Sequence, residues 1–169
     1  MIRVGFGKVG IFDKKYERAI LQINGTIRIN RGNVVFGTGS KICVFKNAEL
    51  IIGDNFENTA NVTIICTREI FVGCNFLASW KTCIVDNDFH SVENLVDGSF
   101  SNMESPLHIG DNVWMGMGAT LLKGSQIPNG CIIGADAIVN KKYKEENCLI
   151  AGNPAIIKKR NVTLKRENQ

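Results

Sequence analysis

The sequence predicts an all-β chain wound as a parallel β-helix, on three observations. Between residues 109 and 139 an aliphatic side chain recurs every six positions, at Ile109, Met115, Leu121, Ile127, Ile133 and Val139. Four residues after each of the first five stands a compact side chain: Val113, Ala119, Ser125, Cys131 and Ala137. Glycine follows the leading aliphatic at Gly110, Gly116 and Gly134. A helix repeats at 3.6 residues and a half-buried strand at 2, so neither gives this beat. A hexapeptide made of a short strand and a turn does, and three of them close a triangular coil of about 18 residues. The leading aliphatic then fills the prism, the fifth residue sits at a corner too tight for bulk, and Gly or Asn supplies the positive φ of the turns.

From the N-terminus, residues 1–23 do not carry the beat, and "DKKYERAILQI" reads equally as a short helix or an edge strand. Residues 24–144 form the predicted β-helix. Phe36 and Ile42 are six apart, Ile52 with Phe56 opens another unit, and Val72, Ala78 and Ile84 continue it with Phe76 and Thr82 in fifth places. From Ile52 to Val72 is 20 residues, two more than a coil, which predicts a swollen corner. From Ile84 to Ile109 is 25, not a multiple of six, so the phase breaks. The stretch 90–108, rich in Ser and Asn with Gly98 and Pro106, is predicted to leave the coil as a projecting loop. Residues 145–169 form a basic C-terminal segment within a single domain.

Composition narrows the function classes. The chain has 169 residues, is 44% hydrophobic and carries a formal charge of +4. That balance excludes a disordered or fibrous chain and points to no nucleic-acid partner. No apolar run reaches the ~18 residues of a membrane span, and "MIRVGFGKVG" lacks a signal-peptide pattern. The six cysteines include no C-x-x-C pair, which removes zinc-ribbon and thioredoxin readings and predicts free thiols in a cytoplasmic setting.

The phase break draws attention to "DNDFHSV", residues 86–92, which holds His90, one of only two histidines. Continuing the beat from Ile84 would put His90 inside the prism, where a titratable side chain is a poor occupant. The expectation is therefore that His90 stands at the root of the loop, on the surface. His108 precedes an inward Ile and is predicted to face outward.

"IGDNVWMG" (109–116), "IIGADAIVNK" (132–141) and "AGNPAIIKK" (151–159), together with "DNDFHSV", resemble the hexapeptide-repeat acyltransferases. The resemblance covers about residues 29–160 and is nearest to the sugar and polysaccharide O-acetyltransferases and the galactoside and maltose acetyltransferases. It implies a left-handed helix, a hand that spacing cannot show and that departs from the usual crossover rule. It also implies a homotrimer with acetyl-CoA in a groove between prisms, a projecting loop that reaches the adjacent subunit, and a sugar hydroxyl as acceptor. His90 matches the family's catalytic histidine, and "NVTII" (61–65) resembles the Asn-containing strand facing it.

Acyl transfer to a hydroxyl needs a base, and imidazole, with an ordinary pKa of about 6.5, suits that work. Asp88 is the preferred carboxylate to orient the ring, with Asp86 as a turn former, and Asn61 or a backbone amide would donate to the oxyanion. Gly116, Gly118, Gly134 and Ala135 offer a strip of small residues to the pantetheine arm. Met117 and Trp114 border it, though Trp114 reads equally as packing under the loop. Lys141 and Lys159 match basic CoA contacts in the family, among Lys142, Lys158 and Arg160; a solvated basic face is the alternative. No metal is expected, since the zinc enzyme of this fold requires three histidines. Rival readings are N-acetylation of an amino sugar and a non-catalytic scaffold. Acceptor contacts are expected from residues 1–30 and 90–108.

Overall fold

A computed structural model describes residues 1–165 apart from Lys8, Lys14 and Arg31, so the end of the basic tail lies outside the described residues. Among the described residues there is no helix, and the strands form three sheets, the faces of a left-handed β-helix. Face I comprises Ile2–Val4, Val34–Thr38, Phe56–Ala60, Leu77–Ala78, Trp114–Met115, Ile132–Ile133, Cys148–Gly152 and Ala155–Arg160. Face II comprises Ile20–Ile23, Lys41–Val44, Thr63–Cys66, Cys83–Val85, Thr120–Leu121 and Ile138–Val139. Face III comprises Thr26–Ile29, Glu49–Ile52, Glu69–Val72, Leu107–Ile109 and Gln126–Ile127. The chain runs I, II, III and starts the next coil beside the last, with parallel pairing throughout except for the final hairpin on face I.

The register stacks the predicted inward residues. Val72, Ile109 and Ile127 lie in line on face III, Ala78, Met115, Ile133 and Ile150 on face I, and Ile64, Ile84, Leu121 and Val139 on face II. All are buried, as are the compact corner residues Val113, Ala119, Ser125, Cys131 and Ala137. Each large aliphatic so placed contributes about 1.5–3 kcal/mol of hydrophobic free energy, which is why the beat is kept where the coils are regular. Corners take left-handed backbone. Asn55, Asn75 and Asn112 turn from face III to face I at φ of 54°, 56° and 56°, and their amides form a ladder at 3.1 and 3.0 Å.

Two boundaries move. The β-helix begins before residue 24: Ile2–Val4 pairs with the strand at Val34, and Ile20–Ile23, read as helix or edge strand, pairs with Lys41–Val44. The long connection 5–19 separates these two strands, and Ile20–Ile23 is exposed along its whole length. The chain also leaves the coil after Val85, not at residue 90, and returns at Leu107. The intervening excursion is an antiparallel hairpin, with bridges Asn87–Glu104 and Glu93–Phe100.

Candidate active site

The prism has three edges, and the candidate residues other than Trp114 and Lys159, which lie on face I, divide between two of them. The edge where face II turns into face III carries Phe45, Thr67, the root of the hairpin, Lys123 and Lys141 on successive coils. The edge where face I turns into face II carries Asn61, then Ser79 and Trp80, then Gly116 and Met117, then Ala135.

His90 is on the first edge, exposed, at the start of the hairpin. The three residues before it are all anchored. Asn87 donates through Nδ2 to the Thr67 hydroxyl (2.9 Å), and its Oδ1 accepts the N–H of Phe89 (2.5 Å). The Phe89 ring packs on Phe45 with centroids 6.1 Å apart. Its φ of 62° is unusual for a bulky side chain and persists because these contacts hold it. Asp88, the residue expected to orient the imidazole, instead lies 2.6 Å from Lys123 Nζ.

Asp86 is fully buried. Its Oδ1 accepts from the Thr67 N–H (2.7 Å) and hydroxyl (3.0 Å), and its Oδ2 from the N–H groups of Arg68 (2.8 Å) and Glu69 (2.9 Å). Thr67 and Arg68 form the swollen corner that the 20-residue coil requires, so Asp86 satisfies that corner's orphan donors. In the sequence it reads as a turn former; its partners are 17 to 19 residues away, and no local signal points to them.

Lys141 lies on the same edge as His90, two coils further on, with its ammonium 5.4 Å from the Tyr143 ring centroid. At about 4.8 Å per coil, the axial offset from the hairpin root is roughly 10 Å. Lys159 is exposed on the last strand of face I, opposite Leu149. Arg160 is committed to Glu145 at 2.7 Å, and that pair holds the Glu145 carboxyl below its usual range. Lys141, Lys142, Lys158 and Lys159 make no ion pair among the described residues.

On the second edge, Asn61 turns the chain at φ 50° and donates to Glu17 at 2.6 Å. The structure does not bring it to His90: Asn61 precedes a face II strand, and His90 follows the end of the strand paired with it. Gly116, Gly118 and Gly134 are small for a reason within the chain. A Cβ on Gly116 would lie 2.7 Å from Ala135 N, one on Gly118 would collide with Asp136 Oδ1, and one on Gly134 would lie 2.7 Å from Ala151 Cβ on the following coil. Met117 and Ala135 are exposed. Trp114 faces outward on face I and donates to Ser79 Oγ (3.0 Å). The N-terminal segment crosses this edge, with Phe12 edge-on to Trp80 at 6.2 Å. His108 faces outward as expected and stacks on Phe71, with centroids 4.5 Å apart. No group of three or more His, Cys, Asp or Glu side chains able to hold a metal occurs among the described residues.

No family model matches the chain. Over 143 residues, 79% of this chain and 72% of the other, it is 32% identical to a putative lipopolysaccharide biosynthesis O-acetyl transferase of Escherichia coli. It is 29% identical over 128 residues to a galactoside O-acetyltransferase of Lactococcus lactis, spanning 76% of this chain but about half, 53%, of that relative. Among solved structures, a polySia-specific acetyltransferase superposes with a TM-score of 0.68 at 25% identity, over 90% of this chain and 64% of the other. With the coil register and the first of these relatives agreeing, the chain belongs to the hexapeptide-repeat acyltransferases, enzymes built on a left-handed β-helix.

Proposed function

We propose that this protein is an acetyl-CoA-dependent O-acetyltransferase acting on a sugar hydroxyl, of a surface polysaccharide, a glycolipid or a precursor, with His90 as general base. The observation that carries this reading is the placement of His90: exposed, at the root of a projecting hairpin, on a backbone held by three anchored residues. The names of the relatives, an O-acetyl transferase of lipopolysaccharide biosynthesis and a galactoside O-acetyltransferase, favour a hydroxyl acceptor over the amine of the rival reading.

In the proposed reaction His90 takes the proton of the acceptor hydroxyl as the oxygen attacks the thioester carbonyl. The acetyl group passes to the sugar oxygen as its C–S bond breaks, and the CoA sulfur takes the proton back from the His90 imidazolium and leaves as the thiol. The residues available to hold CoA fit that molecule in charge and spacing. Lys141 and Lys159 are cations without an ion-pair partner among the described residues, suited to its phosphates, and Lys141 lies along the prism axis from His90 by a distance a pantetheine arm can span.

The division between two edges supports a shared site. One prism carries His90 and Lys141 on one edge and Asn61, Gly116, Met117 and Ala135 on another. In a homotrimer the first edge of one subunit faces the second edge of the next, and the groove between them holds the CoA. The N-terminal segment beside Trp80 and the hairpin 87–104 then flank the acceptor. A cytoplasmic enzyme is consistent with a CoA donor. Sedimentation at micromolar concentration tests the shared site: a species near three chains is expected, and a fully active monomer contradicts it. Loss of acetyl transfer in His90→Ala, with CoA binding kept, tests the chemistry.

A further inference from the structure

The ion-pair partner of Asp88 is Lys123. The ammonium of Lys123, on the corner one coil beyond the hairpin, lies 2.6 Å from Asp88 Oδ2 on the outgoing limb. The same ammonium donates to the backbone carbonyl of Asn102 on the returning limb. One side chain thus bridges both limbs at the hairpin root. Its side chain is 23% exposed, against 43% for Asp88, so the pair is partly withdrawn from water and less screened than a surface pair.

The rest of the root is pinned from the opposite side. Asn87 and Glu104, which bridge the limbs, both bond the Thr67 hydroxyl of the preceding coil, at 2.9 and 3.2 Å. Phe89 packs on Phe45, two coils back. Ser105 sits between Asp86 and Gly124, donating to the first at 3.0 Å and accepting from the second at 3.1 Å. The attachments of Asn87, Glu104 and Phe89 pull toward the N-terminal coils, and Lys123 is the charged attachment pulling the other way. Beyond the root the hairpin is exposed, with Leu95 and Val96 at its tip, so the direction of the His90 segment is set at the root.

We propose that Lys123 is a positioning residue: through its ion pair with Asp88 and its bond to the Asn102 carbonyl it fixes the segment that presents His90. This inference rests on the assignment of His90 as base, and it gives Asp88 a role in the strut rather than in the proton relay. Misplacing a reacting group by about 1 Å can cost 10²-fold in rate, so the strut acts on turnover through the placement of His90.

The test uses Lys123→Met, which keeps the stem and removes the charge, Asp88→Asn, which removes the partner charge, and Lys123→Arg as the conservative variant. The chain has only two histidines, so imidazole NMR of the protein reads His90 directly, with His108 as internal reference. The expected result is that the His90 resonance moves toward the position of a free histidine in both Lys123→Met and Asp88→Asn. The His108 resonance should stay in place, and Lys123→Arg should return the His90 signal to its wild-type position. With acetyl-CoA and methyl galactoside as the probe pair, kcat for CoA release should fall about tenfold or more in the two charge-removing variants. KM for acetyl-CoA should stay within about twofold.

An unmoved His90 resonance in both variants overturns the inference, whatever His90→Ala does. A rise in the acetyl-CoA KM confined to Lys123→Met, with Asp88→Asn like wild type, also overturns it by making Lys123 a CoA contact. Full activity of His90→Ala would remove the general base, yet the shift of the His90 resonance would still report on the strut, so the two failures are distinct.

Discussion

The carboxylate of Asp86 accepts the backbone N–H of Thr67 at 2.7 Å across one coil of the β-helix, and Arg68 and Glu69 donate to its other oxygen. The step from inward Ile64 to inward Val72 exceeds the six-residue beat by two, and a single buried carboxylate takes the three N–H groups of its corner. The same residue is where the chain departs into the hairpin that carries His90. Corner stability and site geometry therefore share one side chain.

Asp86→Ala should leave those part-buried N–H groups without their protein partner, at up to about 1–3 kcal/mol each. The expected loss of stability is on the order of 3 kcal/mol or more, read from the midpoint of denaturant unfolding. Asp86→Asn should be little better, because its amide NH2 would face N–H donors. A wild-type midpoint in Asp86→Asn would show that the carboxylate is not what closes this corner.

His90→Ala should keep the fold, and with it the proposed trimer and the proposed acetyl-CoA binding, since the side chain is outside the prism. Transfer should fall by roughly 10²–10⁴, the size of a lost general base. His90→Asn should fall equally, having similar bulk and hydrogen bonding but no titratable group. His108→Ala, which loses only a ring stack on Phe71, should stay near wild-type activity. The opposite pattern in the two histidine variants would place the chemistry elsewhere.

Replacing Lys141 and Lys159 together by Ala should raise the KM for acetyl-CoA and change kcat much less. Charge-assisted phosphate contacts are worth about 1.5–3 kcal/mol each. Solvent exposure of both lysines screens that figure, so an increase of about tenfold is the expected minimum. Initial-rate kinetics with and without added salt check this, and an unchanged KM would leave these lysines as a solvated face.

Burial, and after it the charge of Asp86, pushes the Cys66 thiol up to about 12. Its thiolate is therefore scarce at mildly alkaline pH, and the thiol also donates to the Glu49 carbonyl at 3.3 Å. Burial likewise raises Cys131. Iodoacetamide at about pH 8, where an ordinary thiol is partly ionised, should modify Cys66 and Cys131 only after unfolding, as read by peptide mass spectrometry. Rapid labelling of Cys66 in the native protein would contradict its placement inside the coil.

The β-helix and much of its interior are legible in the six-residue beat. A six-residue beat has one economical closure, and every inward aliphatic from Ile109 to Val139 is buried because each must fill the same prism. The phase break after Ile84 marked the projecting segment and put His90 outside the core, since a broken count cannot be absorbed by regular coils. Tertiary structure decided the rest. Strands Ile2–Val4 and Ile20–Ile23 are defined by pairing with Val34–Thr38 and Lys41–Val44, across connections too irregular to carry a period. Asp86 and Asp88 look alike in "DNDFHSV", yet one closes a corner at Thr67 and the other is a strut to Lys123. Those partners lie 19 residues before and 35 residues after, brought near only because each coil stacks its corners on the last. The same stacking gathered His90 and Lys141 on one edge and Asn61, Gly116 and Ala135 on another. Edge membership depends on where each coil turns, and sequence spacing alone does not reveal that once the coils differ in length.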